Sequence, residues 1–104
     1  MSMVVLHSEV PVKPESRETA MEICKEMAAT SRTEDGVIDY RVTADLEAPN
    51  ILRIIEQYED HEAVEAHESS AHLETFQAEM EPHIDGAATL YQFDVDAKTE
   101  GKGP

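Results

Sequence analysis

The chain has 104 residues, of which 40% are hydrophobic, which is enough for one domain with a single core and too few for two. Against 8 lysines and arginines stand 23 aspartates and glutamates, and the formal net charge of -15 excludes a basic surface for nucleic acid. The single cysteine, Cys24, excludes an intrachain disulfide, and no apolar run approaches the roughly 20 residues of a membrane span, so we expect a cytoplasmic protein.

The acidic residues are spread from Glu9 to Glu100 without a dense block. Self-repulsion at this net charge destabilises a compact domain in dilute buffer. At molar salt the Debye length falls to about 3 Å, and most of that repulsion is screened. The spread therefore favours adaptation to high salt, as in a halophilic archaeon, over a local acidic patch for a basic partner.

The first third of the chain predicts a strand followed by a helix. Apolar and polar residues alternate loosely from Met3 to Val12, and valine is frequent, which favours a strand. From Glu15 to Ser31, apolar residues recur at spacings of three and four, as they do along one face of a helix. Pro11 and Pro14 mark the break between the two elements.

Two further strands come next, joined by a short connection. A turn at residues 33–36 ends on Gly36, which is free to adopt a positive φ. The second strand is predicted from Val37 to Leu46 and the third from Ile51 to Glu59, and so short a link between them favours an antiparallel hairpin. We expect four side chains of the second strand to share one face: Ile38, Tyr40, Val42 and Ala44.

The remainder predicts two helices and a last strand. Asp60 is suited to cap a short helix from His61 to Glu68. Two serines interrupt that helix, and a longer one is predicted from Ala71 to about Ile84, where Gly86 ends it. The last strand is predicted from Ala87 to Val95.

These elements follow the order β-α-β-β-α-β, the ferredoxin-like α+β arrangement with an antiparallel sheet. Residues 1–95 are expected to form the domain, and the polar residues 96–104 a mobile tail. The helices cover one face of the sheet. Ile54 and Ile55 are adjacent and must point to opposite faces, so the second face also needs an apolar cover. A second subunit's sheet supplies such a cover, and we expect a homodimer.

The segment from Ile54 to His67 holds the densest set of chemically useful side chains. Glu56 and Tyr58 leave the third strand on the same face, His67 lies near the end of the short helix, and His72 begins the next one. We expect these four side chains to reach a cavity between helices and sheet. The five histidines show no recognised metal-ligand spacing, so we expect no metal site.

Three motifs resemble those of the antibiotic biosynthesis monooxygenase family. Glu34 to Tyr40 is similar to its E-x-G-x-x-x-Y turn and strand, Glu56 to His67 to its E-x-W/Y-x-D...A...H segment, and His72 to Phe76 to its H-x-x-x-F. The resemblance extends over residues 3–95. It implies a dimeric ferredoxin-like fold, the dimeric α+β barrel, with a substrate pocket in each subunit.

The resemblance also implies an activity, because members of the family include oxygenases that oxidise quinols or phenols without metal or flavin. We interpret the chain as a cofactor-independent monooxygenase that oxidises a small quinol or phenolic substrate with O2. His67 or His72 is the candidate base, Tyr58 the donor to a developing oxyanion, and Glu56 the group that orients a histidine.

Four further side chains are candidate substrate contacts: His7, Tyr40, Phe76 and Met80. Structural explanations stay open, since His67 also suits the C-terminal end of its helix, Glu56 can pair with Arg53, and His7 can face the partner subunit. Two other functions stay open as well. One is a non-catalytic dimeric module for ligand binding or stress response, and the other is an isomerase acting on a small carbonyl compound.

Overall fold

The computed structural model describes residues 2–104 and has a four-stranded antiparallel sheet with helices on one face. The strands are β1 (Met3–Pro11), β2 (Val37–Ala44), β3 (Ile51–Tyr58) and β4 (Thr89–Val95). The helices are α1 (Arg17–Ser31), α2 (His61–Glu68) and α3 (Ala71–Met80), with single 3-10 turns at Pro14–Ser16 and Glu81–His83. The strand order β2-β3-β1-β4 confirms the predicted ferredoxin-like fold.

The register of the sheet places three side chains in one row under the helices. Glu56 on β3 lies directly opposite Leu6 of β1 on one side and Tyr40 of β2 on the other. Directly opposite residues share a face, so all three point toward the helices. Glu56 is buried in this row although it carries a carboxyl group.

The core has two parts, and Glu56 lies between them. The larger part packs α1 and α3 onto the sheet, and its buried residues include Val10, Cys24, Met27, Tyr40, Ile54 and Met80. The smaller part lies under α2 and consists of Val4, Leu6, Tyr58, Ala63 and Val64. Burial of such side chains contributes roughly 1.5–3 kcal/mol each and fixes the helices on the sheet.

The predicted face of the second strand is wrong at one position. Val37 is paired with Tyr58 and Asp39 with Gln57, so one extra residue stands between two successive pairs. This irregularity turns Ile38 outward, where it is 43% exposed, and Val37 takes its place against the core.

The predicted end of the last helix is also wrong. Helix α3 stops at Met80 because Pro82 has no N–H and its ring opposes a further α-helical turn. Ile84 instead bridges to Val12, and Gly86, at φ 104°, lies in the loop beyond and does not end the helix. The last strand accordingly begins at Thr89 and not at Ala87.

The face of the sheet away from the helices is apolar and partly open. His7 lies opposite Tyr91, and Val5 opposite Phe93, so these side chains share that face. Tyr91 is 51% exposed and Phe93 46% exposed. Residues 96–104 form neither helix nor strand, and no helix among residues 2–104 is long and apolar enough to cross a membrane.

Candidate functional site

A cavity of about 350 Å³ lies between the helix-facing side of the sheet and helices α2 and α3. Much of its wall is apolar and includes Leu6, Val10, Ile54, Leu73, Phe76, Met80 and Leu90. Its polar side chains come from the sheet and from helices α2 and α3, and include Ser8, Tyr40, Glu56, His67, Glu68 and Gln77. An apolar cleft with few polar groups is the usual form of a small-molecule site. We call it the first cavity.

Glu34 joins the two histidines that the sequence singled out. Its Oε2 lies 2.7 Å from Nδ1 of His67 and 3.1 Å from Nε2 of His72. His67 is 3% exposed, Glu34 17% and His72 27%, so the three form a path from the interior toward the surface. A carboxylate that accepts from Nδ1–H fixes the ring orientation and leaves Nε2 as the basic nitrogen.

The second ring nitrogen of His67 faces the first cavity. No side chain or backbone group within residues 2–104 is hydrogen-bonded to Nε2. No buried polar side-chain atom of the described chain lacks a partner, so Nε2 has some exposure of its own. Since His67 lines the first cavity, that exposure is to the cavity. The arrangement is that of a general base held by a carboxylate.

The turn before β2 brings Glu34 to His67. Gly36 has φ 84°, and a methyl group added at its Cα would lie 2.6 Å from the Cβ of Ala63 on α2. The N–H of Glu59 donates to the carbonyl of Gly36 at 2.8 Å, and Asp60 caps α2 by accepting from the N–H of Ala63 at 2.9 Å. Only glycine allows this approach, which sets the turn against the helix that carries His67.

Glu56 and Tyr58 form a second hydrogen-bonded pair beside the cavity. The Tyr58 hydroxyl donates to Oε1 of Glu56. Burial raises the pKa of Glu56 to about 7, although the bond from Tyr58 acts in the opposite direction, and the negative charges of Glu68 and Glu34 raise it further. Near neutral pH, the protonated form of Glu56, which can donate a proton, and the ionised form, which can accept one, are therefore both populated.

Tyr40 presents its hydroxyl to the first cavity. The residue is 2% exposed, it lines the cavity, and its ring centroid lies 5.4 Å from that of His67. Its hydroxyl has no hydrogen-bond partner in the part of the chain that is described, and its oxygen therefore keeps some accessible surface. Burial and the charge of Glu56 raise the pKa of Tyr40, so the hydroxyl keeps its proton and remains a donor.

The structure brings together only some of the residues that the sequence singled out. Glu56, His67, Tyr40, Phe76 and Met80 all line the first cavity. The other three predicted residues do not, and each lies in a different place. They are Tyr58 behind Glu56, His72 in the wall of a second cavity, and His7 on the opposite face of the sheet.

The expected orientation of a histidine by Glu56 is not what the structure has. Glu56 is bonded to Tyr58, and Glu34 holds both histidines. Glu34 is the first residue of the Glu34–Tyr40 motif, yet its role depends on the approach of two distant segments. A lone acid before a turn glycine gives no sign of that approach.

Glu34, His67 and His72 also offer three donor atoms within 4.8 Å of one another, a set of the kind that binds metal ions. The measured separations of 2.7 and 3.1 Å are ordinary hydrogen-bond distances. A proton shared between each nitrogen and Oε2 accounts for both contacts. We therefore treat the group as a hydrogen-bonded triad.

Comparison with known proteins points to one family. The model of the family described as "Antibiotic biosynthesis monooxygenase" matches residues 3–79. YcnE of Bacillus subtilis (strain 168), a protein whose monooxygenase name is provisional, is 30% identical over 76 residues, which is 73% of this chain and 80% of that protein.

Solved structures share the fold of this chain. A conserved protein from Methanosarcina mazei Go1 is 26% identical with a TM-score of 0.87, over 92% of this chain and 95% of that one. A protein from Nitrosomonas europaea, provisionally assigned to the same monooxygenases, has a TM-score of 0.88 over 94% of each chain. At 18% identity, the second likeness concerns the fold alone.

Proposed function

This chain belongs to the antibiotic biosynthesis monooxygenase family, and from that premise we propose that it oxidises a small quinol or phenolic substrate with O2, without a cofactor. The observation that carries the proposal is the orientation of His67. Its Nδ1 is held by Glu34, and its free Nε2 faces an apolar cavity large enough for a bicyclic ring system.

The reaction needs a base, a donor to oxygen and a dry pocket. Nε2 of His67 removes the proton of the substrate O–H. The phenolate passes one electron to O2, and the two radicals combine to form a carbon–oxygen bond. Loss of water from the peroxide then leaves a quinone. Phenol and O2 become quinone and water, so the substrate itself supplies all four electrons.

Tyr40 and Glu56 are the proposed donors to the developing oxyanion. The Tyr40 hydroxyl faces the first cavity, and Glu56 in its protonated form adds a second O–H donor. Tyr58 does not contact the substrate in this scheme; its hydroxyl is bonded to Glu56 and holds that carboxyl group in place. Phe76 and Met80 supply apolar wall that excludes water from the ring of the substrate.

The second subunit and the salt-rich surroundings belong to the same proposal. We propose a homodimer formed through the outer face of the sheet, because Tyr91 and Phe93 leave about half of their surface there uncovered. On that face the rings of His7 and Phe93 pack edge to face, with ring centroids 5.4 Å apart, so a partner that covers Phe93 would also cover His7. The net charge of -15 suits a salt-rich cytoplasm.

Oxygen uptake tests the proposal. A panel of quinols and phenols is followed with an oxygen electrode, with and without chelator, for the wild-type chain and for His67→Gln. Uptake that His67→Gln reduces by about 100-fold or more supports the base, in line with the usual contribution of general base catalysis. Uptake at equal rates in both proteins counts against it. His61→Gln is the control, since His61 is 55% exposed and pairs with Asp94 outside the cavity.

One observation favours a second candidate function, an isomerase on a small carbonyl compound. A base, His67, and a carboxyl group with a pKa near 7, Glu56, line the same cavity. Such a pair can move a proton from carbon to a carbonyl oxygen without O2. Exchange of solvent deuterium into a ketone under anaerobic conditions would identify this activity, and ligand binding without either reaction would indicate a non-catalytic module.

A further inference from the structure

A second cavity lies beside the first one, on the far side of helix α3. It has a volume of about 440 Å³ and opens between α1 and α3, where Glu26, Thr30, Thr75 and Glu79 form part of its wall. His72 lines this second cavity and not the first, whereas His67 lines the first and not the second. The two histidines therefore belong to different cavities.

Phe76 separates the two cavities, and Glu34 links the histidine of one cavity to the histidine of the other by hydrogen bonds. Phe76 lines both, so its ring stands between them. Among residues 2–104, Glu34 is the one side chain bonded to the imidazole rings of both histidines, and it contacts them with the same oxygen, at 2.7 Å from Nδ1 of His67 and 3.1 Å from Nε2 of His72. A single oxygen atom thus bridges the ring that faces the substrate cavity and the ring that faces the outer one.

We propose that Glu34 and His72 carry protons between His67 and the water of the second cavity. The proposal rests on the proposed function, because a base that is 3% exposed must pass its proton to a neighbour while substrate or product fills the first cavity. Glu34 and His72 are positioned to receive it, since each contact is short enough for direct transfer.

Each transfer balances. The substrate O–H bond breaks, and its proton binds Nε2 of His67. The Nδ1–H bond of His67 then breaks toward Oε2 of Glu34, while the proton that Oε2 shares with Nε2 of His72 moves onto that nitrogen. His72, which already carries a proton on Nδ1, gives up that Nδ1 proton to water. Loss of water from the peroxide later requires a proton, and its return along the same path restores both tautomers.

Other polar groups around the triad do not offer an equally direct exit. Tyr58 packs its ring 5.7 Å from His67 but commits its hydroxyl to Glu56, and the raised pKa of Tyr40 keeps its proton in place. Ser70 donates to the carbonyl of His67 at 2.6 Å and lies 3.4 Å from Nε2 of His72, so it steadies the second ring. The shortest route for a proton from His67 to the second cavity therefore passes through Glu34.

Exchange of the His67 ring proton tests the path without any substrate. NMR on ¹⁵N-histidine protein measures how fast the Nδ1 proton of His67 exchanges with water, in wild type and in His72→Gln. We expect about tenfold slower exchange in His72→Gln, and recovery when imidazole is added, because the second cavity has room for that base. His61→Gln should exchange as wild type does. Equal exchange in His72→Gln and wild type would overturn the path.

Oxygen uptake separates this proposal from the function on which it rests. If a quinol is oxidised, His72→Gln should lower kcat by about tenfold in dilute buffer while kcat/KM stays close to wild type, and imidazole should restore kcat. A loss that no added base restores means a structural role for His72 and contradicts the path. If no substrate is oxidised but ring-proton exchange still slows in His72→Gln, the path stands and the oxygenase proposal fails.

Discussion

Glu34 and His67 are 33 positions apart in the chain, yet a 2.7 Å hydrogen bond joins them. One comes from the turn before β2 and the other from α2, so the bond forms only when the sheet and that helix are in place. The candidate base is therefore oriented by the tertiary fold. Removal of the Glu34 carboxylate tests how much the orientation of the His67 ring contributes to the rate of the proposed reaction.

Glu34→Gln should reduce oxygen uptake by about 10- to 100-fold, because the amide offers a weaker and ambiguous partner to Nδ1 of His67. The measurement is kcat for the best quinol of the panel, together with a thermal melt that shows the fold is kept. Asp35→Asn, at the exposed neighbouring position, removes the same charge without touching the triad and should keep the wild-type rate. Equal losses in the two variants would mean that net charge alone is responsible.

Glu56 should make folding stability depend on pH. Burial raises the pKa of Glu56 from 4.5 to about 7, so the folded protein binds a proton that the unfolded chain releases. The stabilisation is fully present below pH 4.5 and is lost as the pH rises to about 7. It amounts to about 3 kcal/mol, because each pKa unit corresponds to about 1.4 kcal/mol.

Glu56→Gln removes this titration, so its free energy of unfolding should stay level through that window and exceed the wild-type value at pH 8. Urea unfolding at several pH values, in concentrated salt to screen the general charge, gives the comparison. Glu18→Gln, at an exposed position of α1, serves as the control and should follow the wild-type curve. A wild-type curve with no fall between pH 4.5 and 7 would contradict the buried-acid assignment.

Gly36→Ala should destabilise the chain more than Gly86→Ala does. Both glycines have a positive φ, which costs a residue with a Cβ about 1–2 kcal/mol. At Gly36 the added methyl would also lie 2.6 Å from Ala63, whereas at Gly86 the nearest atom is 4.0 Å away, on Pro11. The difference between the melting temperatures of the two variants measures the effect of the close contact between residue 36 and Ala63. Equal losses would show that the turn can withdraw from α2 without cost.

Phe93→Asp should convert the proposed dimer to a monomer. A charge on the outer face of the sheet would have to be buried without a partner when two sheets meet. Gln92→Asp places the same charge on the neighbouring residue, which points to the other face, and should leave the assembly unchanged. Light scattering after gel filtration gives both masses. A wild-type mass equal to one chain would end the dimer proposal.

Concentrated KCl should raise the melting temperature by several degrees relative to dilute buffer. With a net charge of -15, the folded chain repels itself, and molar salt screens most of that repulsion. Differential scanning calorimetry across a KCl series provides the test. Equal stability at both extremes would argue against adaptation to high salt.

The order of elements could be predicted from the sequence because each has a clear period and clear ends. Asp60, for instance, caps α2 where the sequence placed a cap. The outward turn of Ile38 could not be predicted, because it follows from register against β3 and not from the composition of β2. The end of α3 at Met80 was predictable from Pro82, which has no N–H to continue an α-helix.

The candidate site was predictable in part for a related reason. Tyr40 and Glu56 line the first cavity because inner-face positions on a sheet can be counted from the alternation, and His67 reaches the same cavity from α2. The separation of Tyr58 from the cavity and of His72 into a second one depends on side-chain packing between elements. Alternation along a strand does not determine that packing.

Within residues 2–104, strand β4 pairs only with β1, and its helix-facing side chains stay largely in solvent, with Leu90 56% exposed where it lines the first cavity. The buried clusters draw nothing from this strand. The helix-facing residues along it are accordingly free to vary without loosening the core beneath the helices. Related proteins can thus come to bind different compounds through substitutions in this one strand, while the triad of Glu34, His67 and His72 stays unchanged.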